Sequence, residues 1–128
     1  MLGKVLIIDD SRFLRRANEL ALSKVGYTVI VAADGSEGLN LARTKDPDVI
    51  VLDMMLPKLS GQEVLRSLKQ DSTTSSIPVI VLSSLPQCNE QKLKADGAAI
   101  YLEKSKLGID GGAAILGEAI ESVLHVAQ

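Results

Sequence analysis

Aromatic residues and cysteine are scarce in this chain of 128 residues, and neither sign of charge is in large excess. Aromatic side chains make up 2% of the residues, which is less than pockets for flat cofactors or platforms for stacked bases usually need. A single cysteine, Cys88, cannot form an internal disulfide bond, so we expect a reducing, cytoplasmic location. The 14 basic residues against 16 acidic ones lack the basic excess of a typical nucleic-acid-binding protein, and we expect no nucleic-acid partner.

Long apolar runs are also missing from the chain. The longest are far shorter than the ~18–20 residues of a membrane span, so we expect no membrane association. Residues 1–4 lead directly into a strand-like run and lack the regions of a signal peptide. A length of 128 residues corresponds to one domain, and we expect a single domain over residues 1–128 without a separate effector domain.

The chain does contain a regular alternation of short apolar runs and longer helical patterns. The runs are continuous and rich in Val and Ile, which is typical of strands buried on both faces of a parallel sheet. They occupy residues 5–8, 29–31, 49–52, 79–82 and 98–102. Helical patterns follow at residues 11–26 (including a serine cap and a glycine stop), 36–45, 61–70, 86–97 and 111–126. We predict an α/β fold with a five-stranded parallel sheet of order 2-1-3-4-5, flavodoxin-like, with helices on both faces.

Polar residues stand where the predicted strands end. They are Asp9 and Asp10 after the first strand, Asp53 after the third, Ser83 after the fourth and Lys104 after the fifth. Alone, each has an ordinary explanation as a helix cap, a turn residue or a solvated surface charge. The first and third strands are predicted neighbours, however, and carboxylates about 4 Å apart repel each other by roughly 4 kcal/mol at an effective dielectric constant of 20. A hard divalent cation with oxygen ligands, such as Mg²⁺, would offset this repulsion.

Four segments of the sequence resemble the receiver domains of two-component response regulators. They are VLIIDDS at residues 5–11, VIVLDMMLP at 49–57 with SG at 60–61, VIVLSS at 79–84 and YLEK at 101–104. Each motif is weak by itself, but all four in this order and spacing cover nearly the whole chain. The chain looks like a stand-alone receiver similar to the chemotaxis regulator, which implies a phospho-accepting switch rather than an enzyme with turnover.

The resemblance implies a role for each acid at the strand ends. Asp53 would be the phosphoacceptor, and the transfer would use Mg²⁺ or Mn²⁺ as cofactor. Asp10 would bind the ion directly and Asp9 mainly through water. An oxygen of Asp53 and the backbone carbonyl of Met55 would complete the ligands that the protein supplies.

The same resemblance implies how the phosphoryl group is sensed. Lys104 would pair with Asp53 before transfer and with the phosphoryl group after it, and the Ser83 hydroxyl would donate to the phosphoryl oxygens. Tyr101 would couple to Ser83 by turning inward, which remodels a protein-binding surface formed by the fourth helix, the fifth strand and the fifth helix. The alternative for Tyr101 is a half-buried strand aromatic that never moves.

The expected partners also follow from the resemblance. The phosphoryl group would come from a sensor histidine kinase or a histidine phosphotransfer protein. The output would be contact with an unidentified downstream protein or onward transfer of the phosphate. Receivers that pair through the fourth helix, the fifth strand and the fifth helix often act beside a DNA-binding domain. We do not expect such a domain here, so we expect a monomer.

The chain departs from the family pattern in several places, and one of them is Ser84, which stands where the family prefers Ala or Gly. Ser105 follows Lys104 where the family usually has proline after a cis peptide bond. A cis bond before a non-proline residue costs about 2.5–4 kcal/mol, and we expect it to be retained because Lys104 must reach Asp53. Met55 and Leu85, whose counterparts flank the phosphoryl group in relatives, are apolar and cannot orient an attacking water. We therefore expect slow spontaneous dephosphorylation.

Three alternative functions are less well supported by the residues. A phosphorylation-independent pseudo-receiver would share the fold and act as an interaction module, and the missing proline is its one support. A flavodoxin-type electron carrier would need a phosphate-binding loop after the first strand and aromatic residues around the flavin. A metal-dependent phosphatase with an aspartyl intermediate would need room for a cap domain and two acids separated by one residue, whereas Asp9 and Asp10 are adjacent.

Overall fold

A parallel sheet with the strand order β2-β1-β3-β4-β5 forms the centre of the computed structural model. The structure describes residues 3–56, 58–83, 90–103 and 112–126. Along these residues the elements are β1 (Lys4–Ile8), α1 (Arg12–Val25), β2 (Thr28–Ala32), α2 (Gly35–Lys45), β3 (Val49–Asp53), α3 (Gly61–Gln70), β4 (Val79–Ser83), α4 (Glu90–Ala95), β5 (Ile100–Glu103) and α5 (Gly112–Val126). The predicted fold class and strand order are confirmed.

The side chains of the central strands alternate between two apolar layers because successive residues of a strand point to opposite faces. The layer against α2 and α3 contains Leu6, Ile8, Ile50, Leu52, Val79 and Val81 with Ala42, Val64, Leu65 and Leu68. The layer against α1 and α5 contains Val5, Ile7, Val49, Val51, Ile80 and Leu82 with Leu22, Leu116 and Ile120. Every residue of β3 and β4 is buried, which explains why their sequences are continuous apolar runs.

The bounds of several elements differ from the prediction near β5. The predicted fifth strand begins at residue 98, whereas β5 begins at Ile100. The chain leaves α4 through Gly97, whose φ of 115° favours glycine, and Ala99 then donates to the carbonyl of Val79 at 2.9 Å. The helix predicted for 86–97 begins outside the described residues, and its described part ends at Ala95.

Polar contacts anchor the C-terminal end of α3. Asp71 follows this helix and accepts from Arg43 of α2 at 2.8 Å and from the hydroxyl of Thr73 at 2.7 Å. These hydrogen bonds lower the pKa of Asp71 to about 2, and the bonds from the hydroxyl and the backbone N–H of Thr73 contribute most. Lys69 donates to the carbonyl of Ile77 at 2.7 Å, and partial burial lowers the pKa of its ammonium group. These contacts tie the end of α3 to α2 and to the segment that leads into β4.

Among the described residues, no helix combines the length and the apolar character that crossing a membrane requires.

Candidate functional site

The register of the sheet brings the ends of its central strands to one edge. Ile8 pairs with Leu52, so Asp9 follows β1 at the level where Asp53 ends β3. Leu82 pairs with Asp53 and accepts from the N–H of Met54 at 2.9 Å, so Ser83 lies one residue further along β4. Ligand sites of such sheets lie outside the carboxyl ends of the strands. The candidate residues Asp9, Asp53 and Ser83 therefore lie at this edge.

Three carboxylates meet at this edge. One oxygen each from Asp9, Asp10 and Asp53 lies within 4.8 Å of the other two. Asp9 and Asp53 are each 1% exposed, whereas Asp10 is exposed to solvent. The clustering of the acids that follow the first and third strands is as the sequence predicted.

Backbone N–H groups hold the two buried carboxylates in place. Ser11 donates its N–H to Oδ1 of Asp9 at 2.9 Å, and Met55 donates its N–H to Oδ1 of Asp53 at 3.1 Å. The Ser11 hydroxyl accepts the N–H of Leu14 at 3.3 Å and thereby caps α1, as its position before the helical pattern predicted. Each buried carboxylate is thus oriented by the first residues of the loop that follows its strand.

The electrostatics of the cluster suit a divalent cation. Two carboxylates at this separation repel each other by roughly 3–4 kcal/mol at an effective dielectric constant of 20, and solvent screens the exposed Asp10 more than the buried pair. The N-terminus of α1 offsets part of this repulsion. Carboxylate oxygens are the donors that Mg²⁺ prefers, and the exposed side of Asp10 leaves space for the waters that Mg²⁺ keeps. The residues present therefore fit the ion that the sequence predicted.

The other described site residues lie on the β4–β5 side of this cluster. Ser83 is fully buried at the end of β4, beside the strand of Asp53, and pairs in register with Glu103 of β5. Tyr101 is buried in the apolar layer of α2 and α3, more deeply than a half-buried strand aromatic. Lys104 lies outside the described residues, and so does its peptide bond to the next residue, so the expected cis bond stays a prediction.

The side chain of Met55 is 54% exposed at the edge of the site. Its N–H donates to Oδ1 of Asp53, so the backbone of Met55 lies next to that carboxylate of the cluster. Leu85, its predicted apolar counterpart after β4, lies outside the described residues. The expectation that neither Met55 nor Leu85 can orient an attacking water stays a prediction.

Gly61 supports the site in a way that the sequence motif alone did not explain. It is the first residue of α3, and its N–H donates to the carbonyl of Met54 at 3.2 Å. A Cβ atom on Gly61 would lie 2.5 Å from Cα of Met54 and 2.6 Å from the carbonyl oxygen of Asp53. Because both are backbone atoms, only glycine lets α3 begin this close to the end of β3. The signal in the sequence was the Ser-Gly pair at residues 60–61, whose serine caps α3 through a capping box with Glu63.

Curated relatives of the chain are longer regulators. A probable transcriptional regulator ycf27 of Guillardia theta is 45% identical over 82 residues, which cover 64% of this chain and 31% of the relative. The response regulator MprA of Mycolicibacterium vanbaalenii is 40% identical over 102 residues, which cover 79% of this chain and 43% of the relative. The chain spans less than half the length of these relatives. Because some of them are transcriptional regulators, the comparison does not support the expectation that no nucleic acid is involved.

Solved structures with the same fold cover nearly the whole chain. The chemotaxis protein CheY4 of Vibrio cholerae superposes with a TM-score of 0.81 at 29% identity, over 92% of this chain and 98% of its own. The receiver domain of the Francisella response regulator 1452 has a TM-score of 0.81 at 31% identity, over 94% of this chain and 98% of its own. The family model of the response regulator receiver domain matches residues 5–107. The chain therefore belongs to the family of response regulator receiver domains.

Proposed function

We propose that this receiver domain accepts a phosphoryl group on Asp53, with Mg²⁺ or Mn²⁺ as cofactor, from a sensor histidine kinase or a histidine phosphotransfer protein. The observation that carries the proposal is the position of Asp53, which ends a central strand and lies within 4.8 Å of two further carboxylates. Acids gathered around a buried carboxylate destabilise the fold, so the arrangement is better explained by function than by stability.

In the proposed transfer, a carboxylate oxygen of Asp53 attacks the phosphorus of phosphohistidine and forms a new P–O bond. The P–N bond to the imidazole breaks, and its electron pair remains on the imidazole nitrogen. The product is an acyl phosphate, which is labile enough to serve as a signal. Such transfers depend mainly on positioning and on charge stabilisation, and the Met55 N–H bonded to Oδ1 of Asp53 contributes to the positioning.

In this proposal Asp10 binds the ion directly and Asp9 mainly through water. An oxygen of Asp53 and the backbone carbonyl of Met55 complete the ligands from the protein. When bound, the ion supplies positive charge that offsets the negative charge of the phosphoryl oxygens. Asp9 is suited to orient a water because its own carboxylate is buried and held by the N–H of Ser11. Asp10 is suited to direct binding because its carboxylate reaches the cluster from the solvent side.

Ser83 and Lys104 are proposed to sense the phosphoryl group, and Tyr101 to pass the change on. Ser83 pairs in register with Glu103, two residues after Tyr101 on the same strand, so a shift at Ser83 reaches β5 directly. Tyr101 packs within the apolar layer in this structure, so the switch requires a second, outward orientation. The affected surface would consist of α4, β5 and α5.

The output of the switch is proposed to be a protein contact made by this surface or onward transfer of the phosphate. The downstream protein is unidentified. We propose that the receiver domain spans residues 1–128, is monomeric and acts in the cytoplasm. The longer relatives add an alternative, in which a receiver of this kind controls a linked effector domain.

The proposed function is tested by incubating the protein with acetyl phosphate and Mg²⁺ and measuring its intact mass. We expect a single phosphoryl adduct that forms with Mg²⁺ or Mn²⁺ and is absent when EDTA removes the ion. A protein that stays folded but forms no adduct in Mg²⁺ would contradict phosphoacceptance and favour the phosphorylation-independent pseudo-receiver.

The lifetime of the acyl phosphate is expected to be limited by poor orientation of the attacking water. Replacing the apolar pair in a Met55→Asn, Leu85→Asn double variant is expected to shorten the half-life by about tenfold, because a polar side chain beside the phosphoryl group can orient water. The half-life is measured from the decay of the adduct mass after the phosphodonor is removed. Val25→Asn is the matched control, because Val25 is an exposed apolar residue at the far end of α1. An unchanged half-life in the double variant would refute this explanation.

A further inference from the structure

Arg15 makes a contact with the loop of the acids that plays no part in the proposed transfer. It lies in the first turns of α1, and its Nη1 donates to the backbone carbonyl of Asp9 at 2.9 Å. Its side chain is partly buried, whereas the flanking Arg12 and Arg16 are exposed. Arg16 pairs instead with Glu19 on the surface of the same helix. Three basic residues therefore begin α1, and Arg15 is the one that turns back to the loop carrying the acids.

The carbonyl that Arg15 holds belongs to the peptide group between Asp9 and Asp10. A peptide group is planar, so fixing its oxygen fixes the direction in which the chain continues. The N–H of Asp9 donates to the carbonyl of Ala32 at 3.1 Å, and its carboxylate accepts from Ser11 at 2.9 Å. Together with the Arg15 bond, these contacts determine the backbone position from which the side chain of Asp10 reaches the cluster.

The need for such a support is greatest at Asp10. Asp10 is exposed and follows the end of β1, so it lacks both the ladder of the sheet and the packing that positions Asp9. A guanidinium group bonded to the adjacent carbonyl supplies a rigid, charge-assisted hydrogen bond. It also places a positive charge against the loop that carries Asp9 and Asp10, which offsets part of the carboxylates' repulsion when no ion is bound.

We propose that Arg15 is a positioning residue for the divalent cation: by holding the 9–10 peptide group, it aims the carboxylate of Asp10 at the ion site. This inference rests on the proposed function for its biological meaning, but it concerns a binding step that can be measured separately. Groups that orient metal ligands from outside the ligand set typically contribute 10–100-fold to affinity.

The test is direct binding of Mn²⁺, followed through the EPR signal of the free ion, to the wild type and to Arg15→Met. We expect about tenfold weaker binding in Arg15→Met, at the lower end of the range for groups that orient ligands. Arg15→Lys retains a cationic donor on a shorter side chain, and its affinity is expected to lie between the two. Lys24→Met is the matched control, because it removes one positive charge from an exposed position at the other end of α1.

The inference is wrong if Arg15→Met binds Mn²⁺ as tightly as the wild type, or if Lys24→Met weakens binding by as much, since net charge would then be the cause. Thermal unfolding in EDTA checks that each variant is folded, and Arg15→Lys carries the test if Arg15→Met is not. Saturating Mn²⁺ is expected to restore adduct formation in Arg15→Met, because Asp53 is intact. If the wild type itself forms no adduct, the proposed function fails, whereas the Mn²⁺ affinities still decide the role of Arg15.

Discussion

Asp53→Asn is expected to abolish the phosphoryl adduct completely while the protein stays folded. An amide oxygen is not a nucleophile toward phosphorus under these conditions, but it still accepts a hydrogen bond from the N–H of Met55. The surrounding loop therefore keeps its main contact with residue 53. The measurement is the intact mass after incubation with acetyl phosphate and Mg²⁺.

The same variant is expected to be at least as stable as the wild type in buffer without Mg²⁺, because it removes one of three clustered negative charges. Mg²⁺ is then expected to raise the thermal midpoint of the wild type more than that of Asp53→Asn, because an ion that binds the folded state stabilises it.

Asp46→Asn is the matched control for this experiment. Asp46 is an exposed residue at the end of α2, before β3 begins, and thus at the opposite edge of the sheet. Its φ of 47° lies in the left-handed region, which asparagine tolerates. The control makes the same chemical change and should form the adduct like the wild type. An adduct that persists in Asp53→Asn would place the phosphoacceptor elsewhere and overturn the proposed function.

Gly61→Ala is expected to destabilise the protein by about 2–3 kcal/mol, the upper part of the range for inserting a methyl group where there is no space. The new Cβ would lie 2.5 Å from Cα of Met54 and 2.6 Å from the carbonyl oxygen of Asp53. Backbone atoms cannot move aside as a flexible side chain does, so α3 and the end of β3 must separate. The measurement is the free energy of unfolding in urea.

The same separation is expected to slow phosphorylation roughly hundredfold, because a displacement of about 1 Å in a positioned reactant costs that much in rate. Gly117→Ala is the matched control, since a Cβ on Gly117 in α5 meets nothing within 4 Å. That variant should gain about 0.5–1 kcal/mol from the better helix propensity of alanine. Equal stabilities of the two variants would show that the close approach of Gly61 carries no cost.

The Asp53→Asn and Gly61→Ala variants distinguish the chemistry of the site from the backbone positioning that supports it. Asp53→Asn leaves the backbone of the edge unchanged and removes the acceptor, whereas Gly61→Ala leaves the acceptor and moves the backbone. A loss of the adduct in the first and a reduced rate in the second would assign the two effects to different causes.

Much of the fold was predictable because its signals are local. The continuous Val and Ile runs of β3 and β4 indicated strands buried on both faces, and the structure confirms that every residue of both is buried. The cap of α1 at Ser11 followed from one side chain before a helical pattern and is also confirmed. The start of β5 was placed two residues early, since Ala98 and Ala99 are apolar but the turn at Gly97 delays pairing with β4.

The candidate site was predictable to the extent that parallel strands present their carboxyl ends at one edge. That rule brought Asp9, Asp10 and Asp53 together, and the structure confirms their proximity. The exposure of Asp10 beside two buried acids did not follow from the sequence, because it depends on how the loop leaves the sheet. The part played by Lys104 stays a prediction from the family resemblance.

The sequence by itself determined the kind and order of the elements and which residues stand at the ends of the strands. Hydrophobic periodicity and helix caps act over a few residues and can be recognised along the chain. Only the tertiary structure decided that Arg15 bonds the carbonyl of Asp9 and that α3 begins in contact with the end of β3 at Gly61. Both depend on where a loop and a helix turn in space, and distances of a few ångströms between packed backbones are not contained in the spacing of residues.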